Sequence, residues 1–165
     1  MSSLINLVSP TNPPPVYSLI SYEGGSPGAT TFLPNHEPPQ AFALGQPQPY
    51  LPWANKDSLP QTVWWQFPKA VVVAKFTFNS RHGGSLEQSP RKFEFVASTD
   101  GADWTVLQTY ETQFTALSQQ KQFLVPAGAQ GPFTYYGIRT LEVTSGKFVA
   151  IERLKMWEAS TGEHL

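Results

Sequence analysis

The segment from Phe78 to Gly84 offers the densest group of chemically distinct polar side chains in the sequence. It leaves a strand-like stretch and brings an amide (Asn79), a guanidinium (Arg81) and an imidazole (His82) next to a Gly-Gly pair. A guanidinium presents a fixed fork of N–H donors, so Arg81 could hold two neighbouring hydroxyl oxygens of one ligand. The alternative is a solvated loop in which Arg81 pairs with a nearby carboxylate. The sequence leaves both interpretations open.

Aromatic residues extend this candidate site. Phe148 follows a Ser-Gly-Lys turn, and Trp53 ends the proline-rich segment 49–53. Hydroxyl-rich ligands such as sugars have apolar C–H faces that pack on rings, so an exposed aromatic side chain suits a site of this kind. Trp53 also has a competing interpretation as a structural residue that closes one end of the fold. His36 and Asn55 are predicted to contribute to the same ligand site, from loops at the same end of the fold as Arg81 and Phe148.

Residue patterns typical of an enzyme are missing. The sequence has no strand–Gly-x-Ser-x-Gly–helix nucleophile elbow and no His-Glu-x-x-His pair. The segment 24–28 (GGSPG) lacks the lysine and the following helix of a phosphate-binding loop, so we expect a flexible linker there. Asp100 and Asp103 are close enough to act as paired carboxylates, but an Asp-Gly sequence favours a turn. The three histidines lie far apart, at His36, His82 and His164. We expect no catalytic residues.

Composition narrows the class of protein further. The chain of 165 residues fits one domain, and its 13% aromatic content provides the apolar area that disordered chains lack. A net charge of −1 argues against nucleic-acid binding, and the absence of cysteine excludes disulfides and thiolate metal sites. No apolar run reaches the roughly 20 residues of a transmembrane helix. The N-terminus shows no signal peptide, so the protein is expected to be cytoplasmic if Met1 is its natural start and extracellular if the chain was processed.

Strand patterns dominate the chain. Phe76 and Phe78 alternate with polar neighbours, as do Phe93 and Phe95, and glycine-containing turns separate such segments. The sequence predicts eight strands: Val16–Tyr22, Val63–Phe67, Val71–Asn79, Lys92–Ser98, Trp104–Tyr110, Gln122–Val125, Tyr135–Thr144 and Phe148–Trp157. One of the neighbouring Trp64 and Trp65 must face inward, and the N-terminal segment could cover the other. Trp104 and Trp157 are predicted core residues.

The predicted architecture is all-β: a single-domain, eight-stranded antiparallel jelly-roll sandwich. Residues 1–40, rich in proline and glycine, form an N-terminal segment that packs on the sandwich. Residues 41–160 form the sandwich, and residues 161–165 form a tail.

Four pieces of the sequence occur in the order found in discoidin-type domains. They are Ala41-Phe42 followed by Gly45 and Trp53, then Val63–Phe67 (VWWQF), Ser98–Trp104 (STDGADW) and Phe148–Leu154 (FVAIERL). From Ala41 onward the chain therefore resembles the discoidin family, whose fold is shared by coagulation factor V/VIII type C domains and many carbohydrate-binding modules.

This resemblance implies an eight-stranded jelly roll with its ligand site in loops at one end. It places Arg81 where sugar-binding relatives use an arginine to donate to hydroxyls, and Phe148 where they often place an aromatic. It also makes Glu152 a weak candidate for a calcium ligand. Calcium takes six to eight oxygens, and the family's acidic residue after Ala-Phe is Ala43 here, so we expect no calcium or only a weak site. No other cofactor is expected.

Two functions remain open from the sequence. The first is a non-catalytic, lectin-like recognition module that binds a glycan or glycoprotein, of galactose type or related, through Arg81, His82 and Phe148. Trp53, His36 and Asn55 are its further candidate contacts. The second is a protein-interaction or assembly subunit without a sugar site. Neither function involves nucleic acid or a transmembrane segment.

Overall fold

Alternating apolar and polar residues give each strand of this protein one face for a shared core. The computed structural model describes residues 15–42 and 51–160. Its ten strands are β1 (Val16–Leu19), β2 (Ser26–Ala29), β3 (Trp53–Ala54), β4 (Gln61–Val71), β5 (Lys75–Asn79), β6 (Pro90–Ser98), β7 (Thr105–Glu111), β8 (Gln120–Leu124), β9 (Phe133–Val143) and β10 (Ala150–Ser160). Single-turn 3₁₀ helices span Pro38–Ala41, Leu86–Gln88 and Ala127–Ala129. Within these ranges no helix is long and apolar enough to cross a membrane.

The strands form two five-stranded antiparallel sheets. The first sheet has the order β1–β10–β5–β8, with β3 paired to β10, and the second has the order β2–β4–β9–β6–β7. Sequence neighbours are often apart in these sheets, so most of the pairing is between segments that are distant along the chain. This is the architecture of a β-sandwich, and the all-β fold class predicted from the sequence is confirmed.

Phenylalanine rings fill the space between the sheets. Phe76 of β5 stacks on Phe95 of β6 with ring centroids 4.0 Å apart and planes at 8°. Phe78 meets Phe93 edge to face at 5.4 Å, and Phe123 of β8 contacts Phe76 at 5.2 Å. Four of these rings, those of Phe76, Phe78, Phe93 and Phe95, are completely buried. The rings bring strands of opposite sheets together and account for much of the core.

Two of the ten strands have no counterpart among the eight predicted ones. β2 consists of Ser-Pro-Gly-Ala, which has low strand propensity, and β3 has only two residues. Each is a strand because a neighbour supplies its hydrogen-bond partners, β4 for β2 and β10 for β3. The predicted strand Val71–Asn79 is also divided, because β4 continues to Val71 and β5 begins at Lys75.

The described part of the N-terminal segment supplies an edge strand to each sheet. β1 pairs with the end of β10, and β2 pairs with β4. A Cβ at Gly28 would lie 2.5 Å from the Trp64 ring, so this glycine lets β2 pass close over the tryptophan. Trp65 is buried and Trp64 lies under β2. The flexible linker expected at 24–28 is therefore wrong, since close packing on Trp64 and Trp65 explains its glycines.

Trp104 and Trp157 are half-buried on outer faces of the sandwich, which corrects their assignment to the core. Trp104 packs against Trp64 with ring centroids 5.6 Å apart. Trp157 follows the buried Met156 on β10 and therefore points away from the core, with the Lys75 ammonium 4.4 Å from its ring centroid.

Replacing Phe76 with alanine should lower the free energy of unfolding by about 3–5 kcal/mol, because the change leaves a cavity between the two sheets. Leu124→Ala is the matched control on the neighbouring strand, and its half-exposed side chain (53%) predicts a change within about 0.5 kcal/mol. Urea denaturation of both variants measures the difference. Equal losses for the two variants would contradict the assigned facing of β5.

A candidate ligand site at the loop end of the sandwich

Several loops meet at one end of the sandwich because β5 and β10 are antiparallel. Asn79, the last residue of β5, pairs with Glu152 near the start of β10, so the segments after β5 and before β10 are neighbours. The loop 112–119 lies at the same end, since the Ser118 N–H donates to the Arg81 carbonyl oxygen at 3.0 Å. The Ser80 hydroxyl donates to the Ala116 carbonyl oxygen at 2.7 Å. We call the segments 55–60, 80–89, 112–119 and 144–149 the loop end.

The Arg81 side chain is half-buried and folded onto its own loop. Its Nε donates to the Gly83 carbonyl oxygen, and its Nη1 donates to Gln88 Oε1 at 2.6 Å. A Cβ at Gly84 (φ 82°) would lie 2.7 Å from the guanidinium carbon, so glycine is needed there for both backbone conformation and space. Among the described residues no carboxylate forms an ion pair with Arg81. The guanidinium is thus held by neutral acceptors, and the alternative interpretation, pairing of Arg81 with a carboxylate, is not found among the described residues.

His82 is anchored by a buried carboxylate. The Glu152 side chain is completely buried, and its Oε2 accepts from the His82 backbone N–H at 3.0 Å and from His82 Nδ1 at 2.9 Å. A carboxylate only accepts hydrogen bonds, so the His82 proton on this side must be carried by Nδ1. Arg153 Nε lies 3.8 Å from Glu152 Oε1. Because a buried carboxylate needs partners, Glu152 fastens the 80–89 loop to β10.

Asn55 connects two loops from inside the protein. Its Oδ1 accepts from the Val149 N–H at 2.7 Å, and its Nδ2 donates to the carbonyl oxygens of Lys147 (3.1 Å) and Asp57 (2.5 Å). The side chain is completely buried. The prediction that Asn55 contacts a ligand is corrected, because its polar atoms are used to hold the 144–149 loop.

Trp53 is also completely buried, and it pairs with Ile151 of β10 while its Nε1 donates to the Thr31 carbonyl oxygen at 3.1 Å. Trp53 was predicted as an exposed ring that contacts a ligand, and its burial corrects that prediction. The burial supports the alternative, in which Trp53 is a structural residue. His36 is half-buried, and its Nδ1 lies 2.8 Å from the Pro52 carbonyl oxygen. The His36 carbonyl oxygen accepts from the Ala54 N–H at 3.3 Å, so His36 lies beside β3, and none of its described hydrogen bonds is with Arg81, His82 or Phe148.

The Phe148 ring is accessible enough for a ligand to pack on it. Its ring is half-buried, while the following Val149 is completely buried. The Lys147 ammonium lies 5.7 Å from the Phe148 ring centroid. The structure therefore brings Arg81, His82 and Phe148 to one end of the sandwich.

Two sequence features that could suggest catalysis have structural roles in the described residues. Ser26 has the spacing of a Gly-x-Ser-x-Gly motif, but it lies in β2 paired with Gln66 instead of in a turn before a helix. Asp100 Oδ1 accepts from the N–H groups of Asp103 (2.9 Å) and Ala102 (2.8 Å) and from the Ser98 hydroxyl (3.0 Å). These hydrogen bonds hold the pKa of Asp100 below its ordinary value. Its carboxylate thus stabilises the turn between β6 and β7.

The structure resembles solved carbohydrate-binding modules and type C domains. A family 32 carbohydrate-binding module of Clostridium perfringens in complex with galactose matches with a TM-score of 0.70 and 18% identity, covering 87% of this chain and 100% of the module. A second module from that organism, in complex with GalNAc-β-1,3-galactose, matches at 0.67 and 20% identity, covering 84% and 99%. An F5/8 type C domain of Bacteroides fragilis matches at 0.69 and 10% identity, covering 86% and 96%.

The discoidin-like fold is thereby confirmed. No protein-family model matches the sequence, and no curated protein is significantly similar to it. Identities of 10–20% establish a shared fold and leave the ligand open.

Asn55→Ala should lower the free energy of unfolding by about 1–3 kcal/mol, because it leaves the buried Val149 N–H without an acceptor. Lys56→Ala is the control, since the neighbouring Lys56 is exposed and its loss should change stability by about 0.5 kcal/mol or less. Thermal or urea denaturation measures both. A neutral Asn55→Ala would contradict the structural role.

A metal that binds only the native state stabilises it and raises the unfolding temperature. Because we expect no calcium site or only a weak one, calcium should not raise the unfolding temperature by more than about two degrees. Residues 15–42 and 51–160 contain no group of three His, Cys, Asp or Glu side chains placed to hold a metal ion, while Ala43 lies outside these ranges. Glu152 is engaged by His82. Calorimetry with calcium and with EDTA tests this, and a large EDTA-sensitive shift would refute it.

Proposed function

We propose that this protein is a non-catalytic module that binds a glycan, of galactose type or related, at the loop end. The observation that carries this proposal is the state of Arg81. Its guanidinium is fixed by Gly83 and Gln88, and no described carboxylate neutralises its charge. A cation held in one orientation by neutral acceptors is preorganised for an electronegative ligand.

The chemistry of the neighbouring groups suits a sugar. A guanidinium has five N–H donors, and two are used within the loop, at Gly83 and Gln88. The others can donate to adjacent sugar hydroxyls. The Phe148 ring can pack on the apolar C–H face of the same sugar. The Glu152 carboxylate fixes the orientation of the His82 ring.

The structural matches support this choice of ligand. Two of the modules with the same fold are complexes with galactose and with a galactose-containing disaccharide. Transfer of that ligand class to this chain is part of the proposal, since one fold serves many functions. In the alternative, the protein is an assembly subunit whose sandwich docks to a protein partner, and the loops carry no sugar site.

Arg81→Ala should weaken binding to galactose or a galactose-terminated glycan about 10- to 100-fold, the range for loss of a hydrogen bond to a charged group. The free energy of unfolding should barely change, because Arg81 lies in a loop. Arg139→Ala is the control, since Arg139 forms its ion pair with Glu94 in the middle of the second sheet and should leave affinity unchanged. Calorimetric titration and urea denaturation of each variant provide the measurements.

Two outcomes would count against the proposal. Unchanged affinity with lost stability in Arg81→Ala would make Arg81 a structural residue. Failure of the native protein to bind any sugar on a glycan array, together with specific capture of a protein partner, would favour the assembly-subunit alternative.

A further inference from the structure

The outer face of the first sheet contains a polar depression. Phe76 and Phe78 of β5 point into the core, so the alternating Thr77 and Asn79 point to the opposite, outer face. Gln122 of β8 and Lys155 of β10 are the cross-strand neighbours of Thr77 on this face. The depression has a volume of about 260 Å³, and its lining consists of Thr77, Asn79, Ser118, Gln120, Arg153 and Lys155.

The lining of this depression is cationic. Of its six residues two are cations and none is an acid. In the part of the chain that the structure describes, Lys155 has no ion-pair partner. Arg153 shares the Glu152 carboxylate with His82, at 3.8 Å from Oε1. An anionic group would find two cationic side chains here, one of them unneutralised within the described chain.

Unusual backbone geometry is concentrated at the same place. Three described non-glycine residues have positive φ, and two of them, Ser118 (57°) and Arg153 (58°), line this depression. Arg153 lies where the pairing of β10 with β5 shifts between Glu152 and Lys155. Such conformations cost free energy, and they and β-bulges occur preferentially near ligand sites.

A second, more apolar depression lies on the other side of the same two cations. Its volume is about 700 Å³, and Arg153 and Lys155 contribute to its lining together with Tyr22, Phe42 and Trp65. The rings of Tyr22 and Trp65 are 4.6 Å apart. Arg153 and Lys155 therefore form a ridge between a polar and an aromatic depression.

We propose that this outer face is a second ligand site, which binds an acidic saccharide. Arg153 and Lys155 hold a carboxylate of the ligand, and the side-chain amides of Asn79 and Gln120 meet its hydroxyls. Amides and hydroxyls both donate and accept, as sugar hydroxyls require, whereas the phosphates of a nucleic acid only accept.

The test is calorimetric titration of the full chain with a galacturonate oligosaccharide at low salt. The double variant Arg153→Asn, Lys155→Gln removes both charges, and asparagine tolerates the positive φ at position 153. We expect its affinity to fall about tenfold or more, since two charge-assisted contacts are lost. Lys69→Ala, which removes an exposed lysine from β4, should keep the native affinity. The uncharged methyl ester of the same oligosaccharide should bind more weakly.

Several results would overturn this second site. The native protein would fail to bind the charged oligosaccharide, or the double variant would bind it with unchanged affinity. An RNA oligonucleotide that bound the native protein as tightly as the oligosaccharide would also overturn it. Loss of binding in Arg81→Ala would move the acidic sugar to the loop end. The galactose titration tests the loop end through Arg81, and the galacturonate titration tests the outer face through Arg153 and Lys155. The failure of one proposal is therefore distinguishable from the failure of the other.

Discussion

The antiparallel pairing of β5 with β10 determines where both proposed sites lie. It sets Asn79 opposite Glu152, so the loop after β5 and the loop before β10 meet at one end of the sandwich. The same pairing places Lys155 beside Thr77 on the outer face of the sheet. The two strands are held in this register by Phe76 and its neighbours, which pack on the second sheet. One strand pair therefore connects the hydrophobic core to the two proposed binding surfaces.

Buried polar side chains give the loop end its shape. Asn55 and Glu152 are completely buried, and each fastens a loop to the body of the protein, at Val149 and His82 respectively. In a low-dielectric interior these hydrogen bonds are costly to leave unmade, so they fix the loops more strictly than apolar contacts would. Arg81 is held differently, by neutral acceptors near the surface. Loops fixed in this way, with the half-buried Arg81 guanidinium near the surface, are well suited to recognise a small ligand.

The fold could be predicted largely from local pattern. Phe76 and Phe78, like Phe93 and Phe95, alternate with polar residues, and such alternation indicates strands with one buried face wherever they pair. The strand β3 could not be predicted, because two residues carry no periodicity and their pairing depends on β10. The placement of Arg81, His82 and Phe148 in loops beside strand ends could be predicted from turn and strand signals near them, and their role in ligand binding stays a prediction. The partner of Arg81, Gln88, had no signal in the sequence.

The sequence by itself determined eight of the strands, where most turns fall and which polar residues follow a strand end, because these depend on neighbours along the chain. β2 and β3 are strands only through their pairing with β4 and β10. The tertiary structure alone decided which of those side chains are exposed. Trp53 and Asn55 are buried because β10 and the 144–149 loop cover them. Arg153, Lys155 and Thr77 form one depression because β10 lies beside β5 in that register. Burial and charge clustering depend on which distant segment packs alongside, and no short-range pattern contains that information.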